Sequence, residues 1–181
     1  MIDTIGKGRT GVLTEPTIVA RPEQPYVAIR ATMPMNEIDE AAPRLFREIQ
    51  TWVSEKALIC TGAPILKHNV IDMERELELE FGVPIAEPVP GDDRVISGVL
   101  PSGRYATILY RGPYGGPDDD LLHANGALID WGMKHGIKWD SQQIPAGERF
   151  ACRLEIYLVG PHSESDPAKW ETEVAIKIID A

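Results

Sequence analysis

Glu155 is the residue of this sequence whose surroundings are best suited to chemistry. It lies in a short apolar run that predicts a β-strand ended by Gly160-Pro161. Alternation sends one set of side chains to each face of the sheet. The set that we expect in the core is Leu154, Ile156 and Leu158. The other set is Arg153, Glu155 and Tyr157. A carboxylate in so apolar a strand is costly unless it is solvated, paired or able to bind a ligand.

Aromatic residues are concentrated in the same half of the chain as Glu155. They are Tyr110, Tyr114, Trp139, Tyr157 and Trp170. Rings with one carboxylate suit a flat, hydrophobic, cationic ligand, since stacking and cation–π attraction contribute roughly 0.5–2 kcal/mol per ring. Burial is expected to raise the pKa of Glu155, which suits a general acid or base. Two alternatives stay open, because strand aromatics are core formers first and Glu155 could pair with Arg153 or Arg111.

Other kinds of site find no support in the sequence. The four histidines are scattered without carboxylates or cysteines at metal-ligand spacing, and Cys60 and Cys152 form no metal or redox motif. Phosphate-binding, dinucleotide-binding and nucleophile-elbow motifs are also missing from the sequence. We therefore expect no metal and no cofactor.

Composition predicts a globular chain with an acidic surface. Of 181 residues, 43% are hydrophobic, and 28 acidic against 18 basic residues give a formal charge of −10. This charge argues against direct nucleic-acid binding. The sequence has no membrane-span or signal pattern, so we expect no membrane partner and a cytoplasmic location. A sheet edge could still pair with a second copy, which leaves both monomer and homodimer open.

The chain also carries an internal repeat. Tyr26 and Tyr105, Pro34 and Pro113, and Trp52 and Trp131 are each 79 residues apart. The segment from Leu77 to Pro84 resembles the Glu155 strand, and this likeness makes Glu78 the predicted counterpart of Glu155. The glutamates around Glu78 instead favour a solvated edge.

These patterns predict an α+β fold of duplicated β-α-β-β units. Antiparallel sheets would have the helices packed on one face and a cleft at the pseudo-twofold junction. The helices are predicted from near Glu40 to before Thr61 and from Asp118–Asp120 to Gly136. Strands are predicted at 17–20, 26–32, 63–68, 75–81, 94–100, 104–110, 150–158 and 171–179. A flexible arm, 1–16, would precede one domain, 17–181, whose repeats span about 17–90 and 91–181.

Three features resemble the GyrI-like effector-binding domain family over about residues 17–180. They are Tyr105–Tyr114 (YATILYRGPY), the helix with Trp131, and Arg153–Pro161 (RLEIYLVGP). The resemblance implies a duplicated fold with a cleft for hydrophobic, often cationic, drug-like molecules. It also implies that Glu155 lies at the cleft floor, with Tyr110 and Tyr157 in the wall.

Within that family, the resemblance implies several functions. Many relatives join this domain to a DNA-binding helical domain, which this sequence lacks, so we expect a stand-alone small-molecule-binding protein. Stand-alone relatives also include hydrolases of cyclopropane-bearing toxins. In these, a glutamate and an aromatic hydroxyl, here Glu155 and Tyr110, would help water to open the ring. A gyrase-modulating or transcription-associated module is a further alternative.

Overall fold

The computed structural model describes residues 11–114 and 120–179. They form two α-helices, α1 (Ile38–Glu55) and α2 (Asp120–Lys134). The strands are β1 (Val12–Leu13), β2 (Thr17–Arg21), β3 (Gln24–Met33), β4 (Ile65–Ile71), β5 (Leu77–Pro84), β6 (Ile96–Leu100), β7 (Gly103–Arg111), β8 (Ser141–Ile144), β9 (Gly147–Phe150), β10 (Arg153–Val159) and β11 (Glu171–Lys177). Residues 1–10 of the predicted arm 1–16 and the predicted helix-start residues Asp118 and Asp119 lie outside the described residues. Within the described part of the arm, Val12 and Leu13 pair with β7.

All of these strands belong to one antiparallel sheet. Its order is β1-β7-β11-β10-β4-β5-β3-β6, with β2 also on β7 and the β8–β9 hairpin attached to β4. The sequence suggested two sheets, but β4 and β10 pair and join them into one. The predicted α+β class with a mostly antiparallel sheet is confirmed, whereas the internal duplication and the cleft stay predictions.

Both helices pack on the same face of this sheet. In α1, Leu45, Ile49 and Val53 recur at four-residue spacing and pack with buried residues of β3 and β5. In α2, Leu121 and Leu128 pack with buried residues of β7 and β11. The sheet between the helices is therefore the floor of whatever site the helices flank.

The opposite face of the sheet carries a second apolar cluster. Tyr26 and Tyr105, the repeat-related pair, are buried there with Leu154 and the partly buried Ile156. We expected the Leu154 face of β10 to be the main core, but Leu158 is 45% exposed and Glu155 lies on the helix-covered face. Because apolar residues cover both faces, alternation alone could not show which face the helices cover.

The β8–β9 hairpin was not predicted from the sequence. Its strands are short and polar and flank a turn that ends at Gly147, whose φ of +133° suits glycine. Strand β9 of the hairpin pairs with Val70 and Ile71, at the end of β4 that lies beyond the residues paired with β10. It brings Glu148 towards Arg153 at the start of β10.

Candidate functional site

Glu155 lies in the middle of a row of side chains that crosses six strands. Strand pairing sets the row as Ile29, Phe81, Leu66, Glu155, Val174 and Ile108, from β3 to β7. Five members are apolar, and only 7% of Glu155 is exposed. A carboxylate there is far from a solvated edge, so its neighbours must stabilise its charge.

Two hydrogen bonds hold the carboxylate. The side chain of Asn125, on α2, donates from Nδ2 to Oε1 at 3.0 Å. The hydroxyl of Tyr157, two residues along β10, donates to Oε2 at 2.8 Å. The first turn of α2 also fixes the Asn125 amide, because Nδ2 donates to the Leu121 carbonyl at 3.1 Å. The two oxygens of Glu155 therefore have fixed orientations.

Two basic side chains adjoin this arrangement, and of the two only His68 lies within ion-pair distance of Glu155. Nε2 of His68, on β4, lies 3.5 Å from Oε1. Arg153 instead donates to Oδ1 of Asn125 at 3.0 Å, and its guanidinium lies over the Phe150 ring. Arg111, the other expected partner, pairs with Glu171. Within the described part of the chain, no lysine or arginine forms an ion pair with Glu155.

The electrostatics of Glu155 differ from the expectation of a raised pKa. Burial raises the pKa of Glu155, but His68 and the donors on Tyr157 and Asn125 lower it more, so the net pKa is below the usual glutamate value. Burial lowers the pKa of Arg153, and the charges of Glu155 and Glu148 oppose that shift. Glu155 is therefore ionised at neutral pH, which suits a counter-charge better than a general acid.

Four aromatic rings form a chain beside the carboxylate. Tyr157 makes an edge contact with Phe46 of α1 at a centroid distance of 5.6 Å and a tilted contact with Tyr114 at 5.5 Å. Tyr114 in turn packs on Trp170 at 4.8 Å. Burial and the charge of Glu155 together raise the pKa of Tyr114 to about 12. The structure therefore brings Tyr114, Tyr157 and Trp170 together with Glu155.

The other two predicted site residues have separate roles in the structure. Tyr110 is buried on β7, and its hydroxyl donates to the Pro113 carbonyl at 2.6 Å. Trp139 packs closely on Gly132 near the end of α2 and has no ring contact with this aromatic chain among the described residues. Tyr157, and not Tyr110, is the tyrosine whose hydroxyl bonds to Glu155.

Glu78 is not the structural counterpart of Glu155. It alternates with Leu77 and Leu79, which pack beneath α1, so it faces the opposite side of the sheet. In the row of six strands, the direct cross-strand partner of Glu155 on β4 is Leu66. The neighbour of the carboxylate in the row is therefore apolar and not a second glutamate.

Sequence reasoning missed three residues of the site. His68 and Asn125 come from β4 and α2, and Phe46 comes from the inner side of α1. Asn125 carried a signal, because it is a polar residue four positions after Leu121 on the apolar stripe of the helix. His68 carried none, because its approach to Glu155 depends on the pairing of β4 with β10.

A separate groove of about 390 Å³ lies on the outer face of α1. Its lining residues are Arg44, Arg47, Glu48, Thr51, Trp52 and Glu55. The two arginines and two glutamates of this lining balance in charge, so the groove has no net charge that would favour a cation. Residues 11–114 and 120–179 contain no cluster of three potential metal ligands, and none of their helices is long and apolar enough to cross a membrane.

Solved structures of related fold include a domain of EcmrR, a ligand complex and a hydrolase. The EcmrR C-terminal domain superposes with a TM-score of 0.72 at 18% identity, over 92% of this chain and 98% of that one. SAV2435 bound to tetraphenylphosphonium gives a TM-score of 0.55 at 13% identity, over 92% and 94%. A hydrolase from Listeria innocua gives 0.53 at 13% identity, over 91% of each chain. At these identities the likeness establishes the fold alone.

One of these structures contradicts the expectation of no direct nucleic-acid binding. In a cryo-EM structure of an EcmrR–DNA complex, this chain matches 58% of the EcmrR chain, with 92% of its own length covered, a TM-score of 0.73 and 20% identity. The same domain fold therefore occurs within a protein bound to DNA. The net charge of one domain does not decide whether the protein that carries it contacts nucleic acid, so that exclusion was wrong.

Family membership rests on the sequence as well as on the fold. No curated protein is significantly similar to the chain in sequence. The model of the GyrI-like small molecule binding domain matches residues 14–179, which include every element from β2 to β11. The chain therefore belongs to the family of GyrI-like small molecule binding domains.

Proposed function

We propose that this domain binds hydrophobic cations, with Glu155 as the counter-charge and the rings of Phe46, Tyr157 and Tyr114 as the apolar wall. The observation that carries the proposal is an ionised carboxylate, 7% exposed, in an otherwise apolar row of side chains. Such a charge is costly to bury, and a cationic ligand would repay part of that desolvation with a direct charge interaction.

The aromatic chain supports the same class of ligand. Ring faces attract cations and stack on planar apolar groups, at roughly 0.5–2 kcal/mol per contact. Since Glu155 is almost fully covered, a ligand reaches its carboxylate only after a neighbouring side chain moves. The Tyr157 hydroxyl occupies Oε2, and we expect it to be displaced or shared when a cation binds. SAV2435, a protein of the same fold, is bound to tetraphenylphosphonium.

Calorimetric titration with tetraphenylphosphonium tests the proposal. A charge pair about 4 Å apart contributes up to about 4 kcal/mol at an effective dielectric constant of about 20. We therefore expect Glu155→Gln to weaken binding of the cation by about tenfold or more. Uncharged triphenylphosphine oxide should lose much less affinity.

Glu78→Gln is the matched control, because it makes the same chemical change on the opposite face of the sheet. It should leave both affinities unchanged. Equal losses for the cation and the neutral compound in Glu155→Gln would contradict the counter-charge role. If Glu78→Gln weakened cation binding as much as Glu155→Gln does, the loss of affinity would reflect the net charge of the protein and not a contact with Glu155.

A second candidate function is hydrolysis of electrophilic, cyclopropane-bearing toxins at the same carboxylate. The pair of Tyr157 and Glu155 favours it, because a hydroxyl and a carboxylate 2.8 Å apart could orient an attacking water. The lowered pKa makes Glu155 a weak base, so we place hydrolysis second. Glu155→Gln should abolish turnover of a cyclopropane-bearing alkylating compound while retaining its binding. If the wild type and the variant leave the compound equally unreacted, the hydrolase proposal fails.

A further inference from the structure

His68 is a buried polar side chain whose polar contact among the described residues is the 3.5 Å approach of Nε2 to Glu155. Only 6% of the residue is exposed. Neither ring nitrogen has a hydrogen-bond partner among the described residues. An unsatisfied buried polar group destabilises the folded state, and native proteins leave few of them. The imidazole therefore needs an explanation within the site.

The position of His68 directs it towards the carboxylate. It lies two residues after Leu66 on β4, so both side chains occupy the helix-covered face, and Leu66 is the cross-strand partner of Glu155. Nε2 of His68 is 3.5 Å from Oε1, the oxygen that also accepts from Asn125. The imidazole and any cation at the carboxylate would therefore act on the same negative charge.

Few other charged groups face this pair. Strand β10 contributes Arg153, which bonds to Asn125, and β9 contributes Glu148, which bonds to Ser141. Within residues 11–114 and 120–179, the residues that face the pair from the remaining elements are apolar or neutral. They are Leu45, Phe46 and Ile49 of α1, Asn125 of α2, Leu79 and Phe81 of β5, Thr172 and Val174 of β11, and the phenols of Tyr114 and Tyr157. Histidine is the side chain whose charge can change near neutral pH, and His68 is the histidine that lies beside Glu155.

We propose that His68 sets the charge selectivity of the Glu155 site. With a neutral imidazole, the carboxylate is available to a cationic ligand. With a protonated imidazole, the carboxylate already has its counter-charge, and a second positive charge in the same desolvated space is repelled. The inference rests on the proposed function and extends it, because proton and cation then compete for one carboxylate. By linkage, each weakens the binding of the other by the same factor.

The test is tetraphenylphosphonium binding by the whole chain between about pH 5 and 8.5, since this ion has no titrating group. The wild-type affinity should fall on the acid side by up to about tenfold per pH unit. Calorimetry in buffers of different ionisation enthalpy should show release of up to about one proton on binding. Triphenylphosphine oxide should bind with a pH-independent affinity.

Two variants remove the titrating group, so that one remains informative if the other folds poorly. His68→Gln and His68→Leu should both bind the cation with flattened pH dependence and without proton release. His135→Gln removes an exposed histidine near the end of α2 and should behave as the wild type.

The outcomes separate the two proposals. A wild-type affinity that does not change with pH, or an unchanged pH dependence in both His68 variants, would overturn the role of His68 alone. In the latter case the carboxyl itself would be the titrating group. Absence of cation binding at every pH would overturn the proposed ligand class and, with it, this inference.

Discussion

Replacing Asn125 with aspartate should change how the stability of this domain depends on pH. The amide donates to Oε1 of Glu155 at 3.0 Å and accepts from Arg153 at 3.0 Å. In Asn125→Asp, a carboxylate oxygen takes the place of the donor. Two carboxylates then meet inside the protein with one arginine beside them.

The size of the effect follows from these distances. Two like charges 3.0 Å apart repel by about 5–6 kcal/mol at an effective dielectric constant of about 20. The new carboxylate attracts Arg153 at a similar distance, which offsets a similar amount. Two donated hydrogen bonds are lost and not offset: the bond to the charged Glu155 contributes about 1.5–3 kcal/mol and the bond to the Leu121 carbonyl about 0.5–1.5 kcal/mol. We therefore expect the free energy of unfolding to fall by about 2–4 kcal/mol at pH 7.

The sign of the pH dependence separates this explanation from simple misfit. In the wild type the folded-state pKa of Glu155 is lowered. Its stabilisation is therefore present above the unfolded value of about 4.3 and is lost as the pH falls through the folded value. In the variant, one proton shared by the two carboxyl groups restores a hydrogen bond, so the pair has a raised folded-state pKa. The stability deficit is then full at pH 7 and decreases as the pH falls towards about 5.

Urea unfolding at about pH 7 and about pH 5 measures both quantities. Asn36→Asp is the control, because it adds the same charge at an exposed residue. It should change stability by less than about 0.5 kcal/mol. A deficit in Asn125→Asp that is equal at both pH values, or as small as the control's, would refute the electrostatic description of the site.

Two further predictions concern α2 and the opposite face of the sheet. Gly126→Ala should stabilise the protein by about 0.5–1 kcal/mol, because a Cβ at Gly126 meets no described atom within 4 Å. Gly132→Ala should destabilise the protein by about 1–3 kcal/mol, because a Cβ at Gly132 would overlap the Trp139 ring. Thermal unfolding of both variants checks this, and equal shifts would contradict the packing of Trp139. On the opposite face, Glu80 is 1% exposed and accepts a hydrogen bond from the Tyr26 hydroxyl at 2.5 Å. Burial raises the pKa of Glu80, but the charge of Lys67 and the hydrogen bonds that Glu80 accepts lower this pKa more. Glu80→Gln should therefore lower the free energy of unfolding by about 2–4 kcal/mol at pH 7 and by progressively less below about pH 4. Urea unfolding at about pH 7 and about pH 3 measures this difference. A loss of stability that persists at the lower pH would contradict an ionised Glu80.

Local patterns predicted the elements because short-range physics sets them. The stripe of Leu45, Ile49 and Val53 has helical spacing, and α1 begins at Ile38, close to the predicted Glu40. Tyr26 and Tyr105, which the sequence paired by their constant offset, both belong to the apolar cluster on the sheet face away from the helices. The β8–β9 hairpin was not predicted because its strands are short and polar and show no alternation of apolar and polar residues.

The sequence predicted only part of the site, because the pairing of strands that are distant in sequence decides which side chains meet there. The sequence identified Glu155 and its aromatic neighbours Tyr114 and Tyr157. It could not place His68 beside the carboxylate, since that contact requires β4 to pair with β10 in one register. For the same reason, a similar local motif suggested Glu78 as the counterpart of Glu155, whereas the strand register puts Glu78 on the opposite face of the sheet.

A crystal structure of the chain with tetraphenylphosphonium tests the central claim most directly, because it locates the cation. We predict the phosphonium against the Glu155 carboxylate, with its phenyl groups on the rings of Tyr157 and Tyr114 and with the Tyr157 hydroxyl displaced or shared. A cation in the groove beside Trp52 on the outer face of α1, with the bonds from Asn125 and Tyr157 to Glu155 unchanged, would contradict it.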